Sequence, residues 1–261
     1  LRNLVYTPHI YAALLSRAEN GKLTDAGNSM SPDIERVMSL NPDAILLSPF
    51  ENAGYGRIGK MGIPIIECAD YLETSPLGRA EWIKFFGLLY GKEVEADSIF
   101  TEVEKNYTEL RDKIGVLSSA PVVISELKSG SAWYMPGGKS YMARFFKDAG
   151  AAYPWSDNTE TGSIPLSFET VFNRAGKADI WLIKSFHVSE LSYRTLQKEY
   201  APYARFKAFR EKKIYGCDSS RCNYYEETPF RPDLLLQELA ALFHPGLFPD
   251  YRFRYYQPLS E

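Results

Sequence analysis

The feature that most constrains this chain is a stretch near its middle that has no way to bend. Residues 92–113 contain neither Pro nor Gly, the two residues that break or loosen a helix. Val94, Ile99, Val103, Tyr107, Leu110 and Ile114 recur every three to five residues, and Glu93, Glu95, Glu102, Glu104, Lys105, Glu109, Arg111, Asp112 and Lys113 fill the positions between. That spacing predicts one long amphipathic helix over 92–116. A flexible linker would carry Gly, Ser or Pro instead. The flanking segments are each long enough for a core of their own. The expected organisation is an N-terminal lobe over 1–91, a connecting helix over 92–117 and a C-terminal lobe over 118–261. A rod between lobes would let a cleft between them change width only a little.

The two flanks echo one another. SPDIERVMSLNPDAILL (31–47) reads as a short helix, a turn at Asn41-Pro42-Asp43 and a buried strand. Ser31 is the expected N-cap, Pro32 the first helical residue, and Asp33 suits the positive helix end. SFETVFNRAGKADIWLI (167–183) repeats that order, with Ser167 as cap and Glu169 in the first turn. Downstream, a strand over 63–67 leads to Cys68 and Asp70 and then a helix over 78–90. Its counterpart is a strand at Lys213-Ile214-Tyr215-Gly216, then Cys217 and Asp218, then a helix over 232–243. Between the halves, 121–126 reads as a strand, 129–138 as a loop and 140–149 as a helix ending at Gly150. Short apolar strands alternating with helices predict an α/β fold of two similar lobes with mainly parallel sheets. The first lobe looks incomplete, lacking an opening strand and helix, and residues 1–6 read as mid-domain sequence.

Composition removes several alternatives. The net charge is −3, so no basic field is present to hold nucleic acid or an anionic membrane. No apolar run reaches the length of a membrane span. Most of the 18 Tyr, 15 Phe and 4 Trp are expected in cores, and Tyr and Trp beyond the core's needs suit binding surfaces. Of three cysteines, Cys217 and Cys222 are close enough for a small-loop disulfide or for two separate thiols, and both readings stand; Cys68 reads as a buried thiol.

Taken together, SPDIERVMSLNPDAILL, then MGIPIIE (61–67), then the uninterrupted helix, then WYMPGGKSYMARFFKDAGA (133–151), then SFETVFNRAGKADIWLI resemble the helical-backbone class of periplasmic binding proteins. That class serves ABC importers of ferric siderophores, haem and vitamin B12. The resemblance covers nearly the whole chain and lies in the order and spacing of five pieces rather than in one motif. It implies an extracytoplasmic solute-binding protein, in the periplasm or on the outer face of the inner membrane and open to lipid anchoring. Its partners would be a small-molecule metal chelate and a membrane permease. An iron chelate comes first, with cobalamin or haem as the alternative and an enzyme acting on such a ligand as a more distant one. No cofactor is expected beyond a metal carried by the ligand, and a monomer is expected. The resemblance also assigns permease docking to one surface glutamate per lobe, here Glu35 and Glu169. Each lies near a helix N-terminus, where the dipole favours the charged carboxylate, and paired guanidiniums could fix its orientation.

In such folds ligands meet loops at strand ends. The expected ligand-binding residues are therefore Phe50 and Tyr55, with Glu51 and Asn52 beside them; Tyr71, next to Asp70; Trp133 and Tyr134; Phe186 and His187; and Tyr224, Tyr225 and Arg231, near Asn223. Aromatic planes would cover a flat or ring-shaped ligand, and Arg231 could pair with carboxylate or phosphate on it. Other chemistry finds less support. His9, His187 and His244 have no partner at ligand spacing, so no bare-metal site is expected, although His187 could serve as an axial haem ligand. Gly137-Gly138-Lys139-Ser140 lacks the first glycine of a phosphate-binding loop and reads as a turn into a helix. Gly130-Ser131-Ala132 does not complete a nucleophile elbow, and Glu226-Glu227 reads as solvated loop charge. No catalytic residue is assigned.

Overall fold

A computed structural model describes residues 14–17, 20–21, 23–28, 31–49, 55–186 and 191–261. The chain divides into two compact units, 1–73 and 74–261.

In the first unit, β1 (Gly27–Asn28) and β2 (Ser31–Pro32) pair antiparallel. Helix α1 (Ile34–Leu40) follows, then β3 (Ile45–Leu47), which pairs in parallel with β4 (Ile65–Glu67). The helix and strand sit where the sequence spacing puts them, but the cap moves. Ser31 and Pro32 belong to β2, and Asp33 is the N-cap, its carboxylate accepting the Arg36 N–H at 3.1 Å. Asn41 closes the helix in the left-handed region at φ 44°, which its short polar side chain tolerates.

The second unit opens with α2 (Pro76–Leu89), capped by Ser75, whose hydroxyl accepts the Gly78 N–H at 3.3 Å. Next comes α3 (Glu93–Gly115), unbroken over 23 residues as its sequence requires. Its buried seam is Ala96, Phe100, Val103, Tyr107 and Ile114, with Leu110 partly covered. Val94 and Ile99, expected in that seam, are exposed. The spacing explains the shift: 96, 100, 103, 107, 110 and 114 keep alternate steps of four and three, which hold one face of a helix in line. Helix α3 packs on α2 and on the last long helix, Pro232–Phe243, so residues 76–89 share a unit with the long helix.

The main sheet contains β5 (Val123–Ser125), β9 (Ile180–Ser185) and β10 (Ile214–Asp218) in parallel, with β11 (Gln257–Pro258) antiparallel at the edge, in the order β11-β10-β9-β5. Strand β5 and the first four residues of β9 are buried, which is why they read as continuous apolar runs rather than alternating ones. Beside this sheet, β6 (Lys128–Ser129), β7 (Ala132–Pro136) and β8 (Ser163–Leu166) form an antiparallel sheet. The sequence reading gave 129–138 to a loop; Gly130, at φ 58°, instead turns a hairpin between β6 and β7. The mixed α/β class with parallel strand pairs in both units otherwise matches the expectation.

Helices α4 (Tyr141–Asp148), α5 (Phe168–Ala175), α6 (Tyr193–Glu199), α7 (Lys207–Arg210), α8 (Tyr224–Glu227) and α9 (Pro232–Phe243) complete the unit. Helix α4 ends as its sequence predicts. Gly150 lies at φ 75°; its N–H reaches the Lys147 carbonyl, and the Ala151 N–H reaches that of Phe146. Only glycine fits there without strain, and this pair of bonds satisfies the carbonyls the helix leaves open.

Three carboxylates, Asp179 half-buried and the other two buried, tie the unit together. Asp179 accepts the Val122 N–H at 2.8 Å and the Lys207 ammonium at 2.5 Å, joining the chain before β5 to that before β9. Asp148 accepts the Tyr107 hydroxyl at 2.8 Å and the Arg144 guanidinium at 2.9 Å, joining α3 to α4. Glu238, fully buried on α9, accepts the N–H groups of Arg254, Tyr255 and Tyr256 at 2.5 to 2.8 Å and the Tyr251 hydroxyl at 3.3 Å. A buried carboxylate is tolerated only with such partners. Burial still pushes the Glu238 carboxyl above its ordinary range, against the pull of those N–H groups.

Candidate functional site

A concavity of about 840 Å³ in the second unit opens where the C-terminal ends of β5 and β9 meet the antiparallel sheet. Glu126, directly after β5, has φ 63°, an uncommon conformation for a residue with a Cβ. Its backbone is held on both sides. The N–H donates to the Leu182 carbonyl at 2.8 Å, and the carbonyl accepts the Trp181 indole N–H at 2.9 Å. Its carboxylate meets the Lys184 ammonium near the end of β9, and both side chains are mostly buried. The same ammonium lies 5.8 Å from the centre of the Tyr224 ring. Burial acts to lower the Lys184 pKa, but the Glu126 charge and the nearby phenols outweigh it and hold the ammonium above its ordinary range. A left-handed residue kept in place by three contacts, with its charge neutralised at the floor of a concavity, is the kind of local strain that collects at binding sites.

Around this floor stand Tyr134, Phe186 and Tyr225, exposed by 49%, 57% and 45%. These are the aromatic candidates from the sequence that the structure brings together. Tyr141, Met142, Thr161, Ser163, Thr195 and Glu199 also line the space. Among the described residues, the charged ones in its lining are Glu126, Lys128, Lys184 and Glu199, two of each sign.

The wall that carries Thr161 and Ser163 is set by a close backbone approach. A Cβ on Gly137 would fall 2.3 Å from the Glu160 carbonyl oxygen and 2.7 Å from that of Gly162. Glycine is required because another stretch of main chain occupies the side-chain position.

The other candidates fall elsewhere. Trp133 is fully buried, its ring centre 5.3 Å from that of Trp181 and 5.7 Å from those of Tyr203 and Phe206, and its indole N–H donates to the Ser125 carbonyl at 3.0 Å. Because it belongs to a strand rather than a loop, Trp133 points inward where its neighbour Tyr134 points out. Tyr224 is buried beneath Tyr225 and packs on Tyr255 and Tyr256. Arg231 makes a bidentate pair with Asp233, both bonds 2.9 Å, at the start of α9, and lines a different concavity with Asn106 and Glu109. In the first unit the Tyr55 hydroxyl donates to Glu67, which pushes that phenol up to about 12, and the Tyr71 hydroxyl donates to the Pro49 carbonyl. Phe50 and His187, with Glu51, Asn52 and His9, lie outside the described residues. Glu35 and Glu169 are both exposed in the first turns of their helices, α1 and α5.

Sequence reasoning missed Glu126 and Lys184. Lys184 carried a usable signal: it ends the apolar run Ile180-Trp181-Leu182-Ile183, and a lysine beside buried positions needs a partner. Among the described residues, no group of three or more His, Cys, Asp or Glu side chains is arranged to hold a metal ion.

The fold is of the α/β class, with parallel strands ending at this concavity. Residues 2–220 match the family model described as periplasmic binding protein, and the chain belongs to that family. It is 31% identical over 239 residues to an uncharacterized lipoprotein of Methanocaldococcus jannaschii, an alignment covering 87% of this chain and 54% of that protein. The chain thus spans little more than half the length of that relative. Its fold is similar to that of a possible iron-binding, periplasmic solute-binding protein from Staphylococcus epidermidis, at a TM-score of 0.64 and 18% identity over 82% of this chain and 81% of that one. It is similar also to the periplasmic heme-binding protein RhuT from Roseiflexus sp. RS-1, at 0.64 and 22% over 81% and 79%. No helix among the described residues is long and apolar enough to cross a membrane.

Proposed function

We propose that this chain is the ligand-binding component of an ABC importer, that it works outside the cytoplasm, and that it captures an iron chelate of the ferric siderophore kind without chemical turnover. The observation that carries this reading is the set Tyr134, Phe186 and Tyr225, left exposed around a space of about 840 Å³ whose floor is an already neutralised ion pair. A volume of that order accommodates a compact chelate. Exposed aromatic faces would desolvate one side of the ligand, and the balanced charge of the lining favours a cargo of low net charge. The lipoprotein relative and the iron- and heme-binding structural neighbours support the ligand class and an extracytoplasmic, lipid-anchored location. Haem and corrinoids are the second reading, since flat aromatic surfaces suit a macrocycle as well.

A thermal-shift panel of ferric siderophores, haem and corrinoids tests this. Ligand at a hundred times its Kd stabilises the folded state by about 2.7 kcal/mol, a readable rise in Tm. The same ligand should lose affinity about tenfold or more in Tyr225→Ala, with the melting temperature of the free protein nearly unchanged. A panel with no shift, or full affinity in Tyr134→Ala, Phe186→Ala and Tyr225→Ala alike, overturns the reading. For delivery, Glu35→Ala combined with Glu169→Ala should abolish uptake while soluble affinity stays intact; normal uptake removes the docking role.

A further inference from the structure

Cys217, the fourth residue of β10, and Cys222, two residues before α8, place their sulfurs 3.7 Å apart. Both are free thiols in the structure. The turn between them is already fixed without a covalent link. The Asp218 carboxylate accepts the Ser220 N–H at 2.9 Å and the Ser220 hydroxyl at 2.6 Å, and the Asp218 carbonyl accepts the Arg221 N–H at 3.0 Å. Ser219 donates its N–H and its hydroxyl to the Ser185 carbonyl at 3.0 and 3.1 Å. The two sulfurs are therefore held together by the fold, and bringing them to bonding distance takes a movement of roughly 1.6 Å, given a disulfide length near 2.05 Å.

The two thiols differ in access. Cys217 is fully buried, whereas Cys222 is half-buried and borders a concavity of about 310 Å³ that Arg221 and Arg254 also line. We propose that Cys217 and Cys222 form a redox-active dithiol that closes to an intrachain disulfide, with Cys222 the attacking sulfur and Cys217 the resolving one. The oxidant is a low-molecular-weight disulfide. The Cys222 thiolate attacks one of its sulfurs, the S–S bond breaks and one thiolate leaves. The Cys217 sulfur, on losing its proton to water, attacks Cys222 Sγ and expels the second. Two protein thiols lose two electrons and two protons, and one disulfide becomes two thiols. The order of attack agrees with the electrostatics. Its contact with Cys217 and the Tyr224 N–H lower the Cys222 thiol, whereas the same contact with Cys222, followed by burial, pushes Cys217 up. The thiolate is the reactive form. Closure would tether the start of α8, and with it Tyr225, to the end of the central sheet.

The test uses the intact protein with Cys68→Ser, which leaves one thiol pair. Incubated with oxidised glutathione, it should lose both titratable thiols and two hydrogens by intact mass, with a peptide map linking 217 to 222 and full recovery on reduction. Cys217→Ser should stop at a mixed disulfide on Cys222, while Cys222→Ser should react at least tenfold more slowly. Retention of both thiols through the incubation, mixed disulfides on the pair that never resolve, or equal rates in the two single variants would overturn the assignment. The unsubstituted pair carries the main readout, so a variant that fails to fold does not remove the test.

Discussion

Replacing Lys184 by Met leaves Glu126 as an uncompensated carboxylate at the floor of the concavity. Breaking a fully buried pair costs about 3–5 kcal/mol. Here the side chains are 14% and 25% exposed, so water relieves part of the stranded charge, and we expect about 2–3 kcal/mol. For a unit of this size each kcal/mol lowers Tm by about 2–4 °C, giving a fall of roughly 4–12 °C. Glu126→Gly strands the Lys184 ammonium in its turn but should cost less, because it also relieves a left-handed backbone worth roughly 1–2 kcal/mol to a residue with a Cβ. The double variant carries no orphan charge, so its loss should fall short of the sum by at least about 1.5 kcal/mol. Urea unfolding of the four proteins, at equal m-values, reads all three quantities. A Lys184→Met loss under about 0.5 kcal/mol with strictly additive behaviour would mean that solvent screens the pair, and the account of the site floor given above would fail with it.

Tyr107→Phe should destabilise by about 1.5–3 kcal/mol, the range for a hydrogen bond to a charged group, because Asp148 loses its link to α3; denaturation indistinguishable from wild type would show that link to be idle. Gly137→Ala should cost about 1–3 kcal/mol and weaken ligand binding, since the added Cβ must push aside the Glu160 and Gly162 backbone that flanks Thr161 and Ser163; an unaltered Tm refutes the close approach. Trp133→Ala should cost about 3–5 kcal/mol through the cavity it leaves, in contrast to Tyr225→Ala, and equal melting temperatures for the two would place Trp133 at the surface after all. Burial alone would raise the Asp179 carboxyl, but the Lys207 ammonium and the Val122 N–H outweigh it and hold it below its ordinary 3.8. Its stabilisation is therefore complete above pH 3.8 and is lost as pH falls through the lower folded value. Asp179→Asn should lower stability at pH 7 and flatten its decline below about pH 4; parallel pH profiles for the two proteins would contradict this.

What could be read from the sequence and what could not divide along a physical line. The long helix, the strands it separates and the repeated cap–helix–turn–strand pattern depend on periodicity and on short-range capping, which are local properties of a chain. Orientation of a single side chain is local only when its element has been identified. The choice between Trp133 and Tyr134 is not legible in the sequence, because the run Ala132-Trp133-Tyr134-Met135 does not alternate cleanly in polarity and nothing in it announces a strand. The Glu126–Lys184 pair required tertiary knowledge of a more specific kind. Strand β5 aligns Ser125 with Leu182 on β9, so Glu126 stands one residue past the last paired position and Lys184 two residues past the partner of Ser125. Had both continued as regular strand, the period of two would have set their side chains on opposite faces of the sheet. The left-handed turn at Glu126 breaks that alternation and brings the carboxylate to the ammonium. A lysine that closes an apolar run calls for an acid, but the register of β5 on β9 and the turn at Glu126 decide which acid it meets.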